Sequence, residues 1–188
     1  MTELLRIWQF DEDLIHLRDA CNLSKDISGA WAEFGVAAGG SMAHLLNNCK
    51  HNKQIHLFDT FCKFPDSSFC DYEESAKKVL DIVWDLPGTM SSLANYDVPI
   101  HYHVGDIMQT TDGFNTPLCF IHCDLDLYIP TVRVFEVARW NLVSGGTMII
   151  HDVSPQFPGV VNAVEENCNP AIFDIVGQYK RQMTLRRK

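Results

Sequence analysis

Apolar positions along this chain fall into short runs separated by turn residues, and the runs change period from two to about 3.6 and back. Leu4, Leu5, Trp8, Leu14, Ile15 and Leu17 recur at roughly helical spacing, which predicts a leading helix over 3–22. A short apolar strand over 30–35 and a helix over 41–50 follow. A second strand over 54–58 ends at Asp59. Residues 60–98 carry no strand signal. Here Ala76, Val79, Leu80, Val83 and Trp84 share one helical face, and Pro87-Gly88 is expected to stop that helix.

From residue 98 the alternation returns. Val98, Ile100, Tyr102 and Val104 take one face of a strand, and His101 and His103 take the other, as suits an edge strand with one wetter side. The run over 118–123 is continuously apolar and reads as central. A helix opening at Pro130 carries Phe135, Ala138 and Leu142 inward, and Gly145-Gly146 is expected to end it. A strand over 147–150, a short helix over 159–167, and strands over 172–176 and 182–187 joined at Gly177 complete the chain. Strand and helix alternate up to the closing hairpin. The pattern predicts one α/β domain over 1–188, a parallel sheet with a reversed last strand. Residues 1–28 form its leading helical segment and 60–98 a loop–helix insert long enough to serve as a lid.

The stretch 30–42 carries the most chemistry. A strand runs through Glu33 into a glycine loop, Gly35, Gly39 and Gly40, and then into a helix near Ser41. Glycine permits a sharp turn and close approach to a ligand, and the helix N-terminus offers free N–H groups. The spacing G-x-x-x-G-G misses the dinucleotide fingerprint G-x-G-x-x-G. A carboxylate at this mouth would repel a pyrophosphate and attract the cationic methionine end of S-adenosylmethionine. That cofactor is therefore expected, and nicotinamide cofactors are not.

Bulk properties narrow the partners. With 188 residues, 46% of them hydrophobic, the chain can bury a core of its own. A net charge of −9 argues against a nucleic-acid partner, and no apolar run is long enough to span a bilayer. The basic tail, Lys180, Arg181, Arg186, Arg187 and Lys188, reads as solvated. Seven cysteines without a CxxC pair, and no signal peptide, are expected as reduced thiols in a cytoplasmic protein.

In an open parallel sheet, ligands bind beyond the carboxyl ends of the strands. Those ends carry Glu33, Asp59, Gly105-Asp106, Asp124-Leu-Asp126-Leu-Tyr128 and His151-Asp152. Asp59 lies 24 residues after Gly35, about the distance at which an acid meets ribose hydroxyls. Asp106 doubles as an ordinary helix cap. Asp124 and Asp126 facing His151 and Asp152 would repel one another unless a cation or a shared proton lay between them. Oxygen ligands with one imidazole suit Mg, Mn or Fe. A metal on His101 and His103 lacks a third ligand nearby.

The segments 33–42, Phe58-Asp59-Thr60-Phe61 with Pro65, Asp124 to Tyr128, and 142–152 resemble the macrocin-type (macrolide-sugar) O-methyltransferase family, class I S-adenosylmethionine-dependent enzymes. The resemblance covers about 25–188. It implies a Rossmann-like, seven-stranded sheet ordered 3-2-1-4-5-7-6 with an antiparallel last strand. It also implies a divalent metal on Asp124, His151 and Asp152, with His151 standing where the family has an acid. Glu33, Gly35, Gly39, Gly40, Ser41, Asp59, Thr60, Phe61, Gly105 and Asp106 would hold the cofactor, Phe61 lying against it. Asp124 or His151 would serve as general base in the absence of a metal. The expected activity is methylation of a hydroxyl on a small sugar or natural-product acceptor, with a homodimer left open. Two rivals stand beside it. One is a glycosyltransferase, because Asp124-Leu-Asp126 is also a D-x-D signal; the other is a non-catalytic S-adenosylmethionine-binding pathway partner.

Overall fold

The computed structural model describes residues 11–49, 52–73, 80 and 83–188. Seven strands form one sheet: β1 (Ala30–Phe34), β2 (Ile55–Asp59), β3 (Ile100–Val104), β4 (Leu118–Cys123), β5 (Leu142–Ile150), β6 (Phe173–Tyr179) and β7 (Gln182–Arg187). Their order is β3-β2-β1-β4-β5-β7-β6. β1 to β5 are parallel, and β7 runs antiparallel to both β5 and β6. The helices are α1 (Asp11–Asn22), α2 (Gly40–Asn48), α3 (Leu86–Leu93), α4 (Ile107–Thr110), α5 (Tyr128–Asn141) and α6 (Pro158–Asn167).

Period-two alternation sorts the sheet's side chains onto two cores. Ala32, Phe34, Phe58, Ile121, Met148 and Ile150 pack on one face against α5 and α6 through Val134, Phe135, Ala138, Val160 and Val164. Trp31, Ile55, Leu57, Phe120 and Ile149 pack on the other against Leu14 and Leu17 of α1, Met42 and Leu45 of α2, and Leu93 of α3. Each large side chain buried this way contributes about 1.5–3 kcal/mol. All five residues of β1 are buried, as its position between β2 and β4 requires.

Three punctuation signals work differently from the expectation. Pro87 opens α3 instead of stopping a helix, because the fixed φ and missing N–H of proline suit a first turn. Residues 83–85 are extended or irregular, and Ala76 and Val79 of the expected helix lie outside the described residues, as does 3–10 of the leading helix. Gly145 and Gly146 lie inside β5, not after α5. The pairing of β4 with β5 skips register between Leu118 and Phe120, and Gly145 takes φ +80°, so the glycines absorb a bulge. Gly177 likewise sits at an irregularity within β6, and the hairpin turns at Lys180-Arg181, with Lys180 at φ +48°. β3 is an edge strand as predicted. His101 and His103 are joined there by His56 of the neighbouring strand: His56 Nδ1 lies 3.0 Å from His103 Nε2, and His103 stacks on Phe58.

Candidate active site

A cavity of about 480 Å³ runs across the carboxyl ends of five parallel strands, from Gly105-Asp106 after β3 to His151-Asp152 after β5. Its apolar walls include Phe64, Leu80, Trp84, Leu125 and Phe157. Three of the five non-glycine residues with positive φ among the described residues line it: Ala37 (+51°), Asp126 (+61°) and Asp152 (+61°). Backbone of this kind costs of order 1–3 kcal/mol per residue and persists where the surroundings hold it.

The glycine-loop half is built from backbone. Gly35, at φ +87°, has no room for a side chain, since a Cβ there would stand 1.9 Å from the carbonyl oxygen of Asp124. Asp59 is the keystone of this half. Its Oδ2 accepts from the N–H groups of Val36 (2.7 Å) and Ala37 (2.8 Å), and its Oδ1 accepts from Phe61 N–H (2.7 Å). The carboxylate expected at a ribose thus ties the end of β2 to the loop after β1, while still lining the cavity. Asp106 caps α4 by accepting from Met108 N–H at 2.9 Å, and with Gly105 and Thr60 it also lines the cavity.

Three expected cofactor contacts fall elsewhere. Glu33 is not at the mouth: it is fully buried behind the loop, where its Oε1 accepts from the Ser41 hydroxyl and lies 2.8 Å from His122 Nδ1. Gly39 is a glycine because α3 crowds it, a Cβ there meeting Thr89 at 3.1 Å and Leu93 at 3.3 Å. Phe61 is packed in the core beside α1 and α2 and does not line the cavity. Gly40 and Ser41 do line it.

The β4–β5 half is built from charges. His151 Nδ1 lies 3.1 Å from Asp124 Oδ1 and 3.1 Å from Asp152 Oδ2, with Asp13 Oδ2 at 3.8 Å from Nε2. Burial works against a charge on His151, but Asp124 and Asp152 outweigh it and raise its pKa to about 10. Asp126 is pushed the other way from an ordinary acid: burial, the Asp124 charge and a hydrogen bond with Asp152 hold its carboxyl well above the usual carboxylate range. Arg181 closes the cluster, with Nη1 3.0 Å from Asp152 Oδ1.

Asp13 and Arg181 are the functional-site residues that sequence reasoning missed. Asp13 looks like any acid in a helix's first turn. Arg181 had a signal: β7 pairs antiparallel with β5, Ile150 opposite Met183, so the residue two before Met183 must fall beside His151-Asp152. It is a wall of the cavity and not part of a solvated tail. The Arg187 side chain is also engaged, donating to the carbonyl oxygens of Ala138 and Leu142.

A divalent cation fits the donor set. Asp124, His151 and Asp152 each offer a ligand atom, all within 4.8 Å of one another. Both ring nitrogens of His151 are buried and neither forms a well-directed hydrogen bond, despite the short approaches of the carboxylates. Elsewhere, all seven thiols are free, and no helix among the described residues is long and apolar enough to cross a membrane.

The sequence profile of a family described as "Methyltransferase domain" matches residues 32–153, which takes in the glycine loop and every strand end named above. Among solved structures, the O-methyltransferase NovP superposes with a TM-score of 0.75 at 19% identity, over 94% of this chain and 80% of that one. The TDP-rhamnose 3'-O-methyltransferase CalS11, an enzyme in calicheamicin biosynthesis, superposes with a TM-score of 0.64 at 23% identity, over 97% and 81%. The S-adenosylhomocysteine-bound methyltransferase PaMTH1 of Podospora anserina gives 0.60 at 11% identity, over 96% and 80%. A search of curated protein sequences returns no significant match.

Proposed function

The chain belongs to the methyltransferase-domain family, an enzyme class, and from that premise we propose that it methylates a hydroxyl oxygen of a sugar-type small molecule with S-adenosylmethionine. One observation carries this reading: a single cavity joins a glycine loop organised by Asp59 to an acidic cluster on the next two strands, β4 and β5. A methyl donor and its acceptor need such adjacency, because the reaction is an in-line displacement that gains most from alignment. The cofactor, when bound, supplies an electrophilic methyl on a sulfonium.

The chain's own residues do the rest. Gly35, Val36, Ala37, Gly40 and Ser41 form the floor under the donor, and Asp59, Thr60 and Gly105-Asp106 line the side suited to its nucleoside. Asp124 is more open to the cavity than Asp152 or Asp13, its side chain 24% exposed against 5% and 1%. It is placed to accept the acceptor's hydroxyl proton as the new C–O bond forms. Aromatic walls at Phe64, Trp84 and Phe157 suit the C–H faces of a sugar, and both NovP and CalS11 are O-methyltransferases, the latter of TDP-rhamnose. Asp124, His151 and Asp152 would hold a divalent ion, which bound there would lower the pKa of an acceptor hydroxyl. With one imidazole in the set, Mn or Fe suits it better than Mg.

The test is a screen of sugar and phenol acceptors with methyl-labelled S-adenosylmethionine, with and without chelator. Label carried onto a sugar hydroxyl is the expected result. Cofactor binding with no transfer to any acceptor would favour a non-catalytic binding partner instead. The D-x-D glycosyltransferase reading of Asp124-Leu-Asp126 gives way to the family assignment.

A further inference from the structure

Glu33 was expected to meet the cofactor directly, yet it is 0% exposed, and a second imidazole, His122 of β4, is 0% exposed beside it. The two side chains come from adjacent strands in register, Glu33 opposite His122. Glu33 Oε1 accepts twice, from the Ser41 hydroxyl and from His122 Nδ1 at 2.8 Å. A carboxylate only accepts, so Nδ1 carries the proton and the hydroxyl hydrogen of Ser41 points inward to Glu33. Ser41 lines the cavity with its proton already committed. Toward a ligand its oxygen can therefore act only as an acceptor.

We propose that His122 is a positioning residue for the cofactor's amino-acid end, acting through Glu33 and Ser41. The inference rests on the methyltransferase reading above and adds residues to it. The cavity fixes which end of the cofactor is concerned. Its β2–β3 side suits the nucleoside and its β4–β5 side holds the acidic cluster, so the cationic ammonium and sulfonium fall between them, over β1 and Ser41. His122 locks the rotamer of Glu33. Glu33 in turn orients the Ser41 hydroxyl and places negative charge behind it, so that the loop offers an acceptor to the α-ammonium without exposing a carboxylate.

The experiment is calorimetry on the full chain with two probes. S-adenosylhomocysteine has the α-ammonium, and 5'-methylthioadenosine shares the nucleoside but lacks the amino-acid end. His122→Leu removes the donor, His122→Asn keeps a donor nitrogen near the place of Nδ1, and Ser41→Ala removes the acceptor at the cavity wall. His122→Leu and Ser41→Ala should each weaken S-adenosylhomocysteine about tenfold and leave 5'-methylthioadenosine within about twofold, whereas His122→Asn should bind S-adenosylhomocysteine to within about threefold of wild type. Equal weakening of both probes would mean a loosened loop and no positioning role, and would overturn the proposal. So would unchanged S-adenosylhomocysteine affinity in Ser41→Ala, a variant that leaves the His122–Glu33 contact in place. If the wild-type chain binds neither probe, the methyltransferase reading itself fails, and that result is distinct from the other two.

Discussion

The two halves of the cavity solve the same electrostatic problem in opposite ways. Beyond β1 and β2, the acid at the strand end is neutralised by backbone, three N–H groups converging on Asp59. Beyond β4 and β5, the acids converge on one another, and His151 and Arg181 stand between them. Backbone dipoles are fixed in place by the fold and need no reorganisation when a ligand arrives. A cluster of carboxylates around an imidazole is conditional, because its charge depends on protons and ions. The first half is therefore a rigid seat, and in the proposed function the second is where charge would change during the reaction.

The sharpest way to break that contrast is to remove one charge from the second half. Asp124→Asn should lower methyl transfer on the order of a thousandfold and leave affinity for S-adenosylhomocysteine within about threefold. Steady-state transfer and calorimetry on the same preparation check both parts. A rigid seat should fail differently. Gly35→Ala sets a Cβ against the Asp124 carbonyl at a left-handed φ, and should cost about 2–3 kcal/mol of stability in denaturant unfolding. Asp59→Ala releases three N–H groups at once, so cofactor affinity should fall at least tenfold together with a loss of thermal stability. A fall in affinity without loss of stability would mean that Asp59 acts on the ligand alone.

The smallest expected effect lies outside the cavity, where β2 meets the edge strand β3. His56 is buried, and burial together with the neighbouring His103 and His101 depresses its pKa from 6.5 to about 4. The unfolded chain then binds a proton between those values that the folded chain refuses, so stability rises with pH through that window. Lowering the pH from about 6.5 toward 4 should cost on the order of 1–2 kcal/mol, and His56→Phe should flatten that part of the curve. Unfolding followed at several pH values in both proteins measures the difference.

The legible and illegible parts of the sequence divide along physical lines. The continuous apolar run placed β4 at its observed bounds, because burial of both sheet faces dictates that pattern. The strand order followed from the resemblance of the motifs to a known family, and not from periodicity. Glycine and proline are ambiguous at Pro87, Gly145-Gly146 and Gly177, since the same residue type ends one element, opens another or absorbs a bulge, and only the surrounding fold decides which. In the site, residues at strand ends were legible from topology. What those side chains touch was not. Glu33 turned inward because His122 waits on the adjacent strand, a contact across 89 residues. Asp13 arrives from α1, which no local signal connects to His151.

The central claim, a backbone-built donor seat joined to a charge-built reaction centre, is tested most directly by one paired measurement. Transfer of labelled methyl from S-adenosylmethionine to the acceptor found in the screen is compared with S-adenosylhomocysteine binding, in wild type and in Asp124→Asn. The account predicts that wild type transfers label, that Asp124→Asn does not do so measurably, and that the two bind S-adenosylhomocysteine alike. Transfer by Asp124→Asn at the wild-type rate, or loss of binding in parallel with loss of transfer, would contradict it.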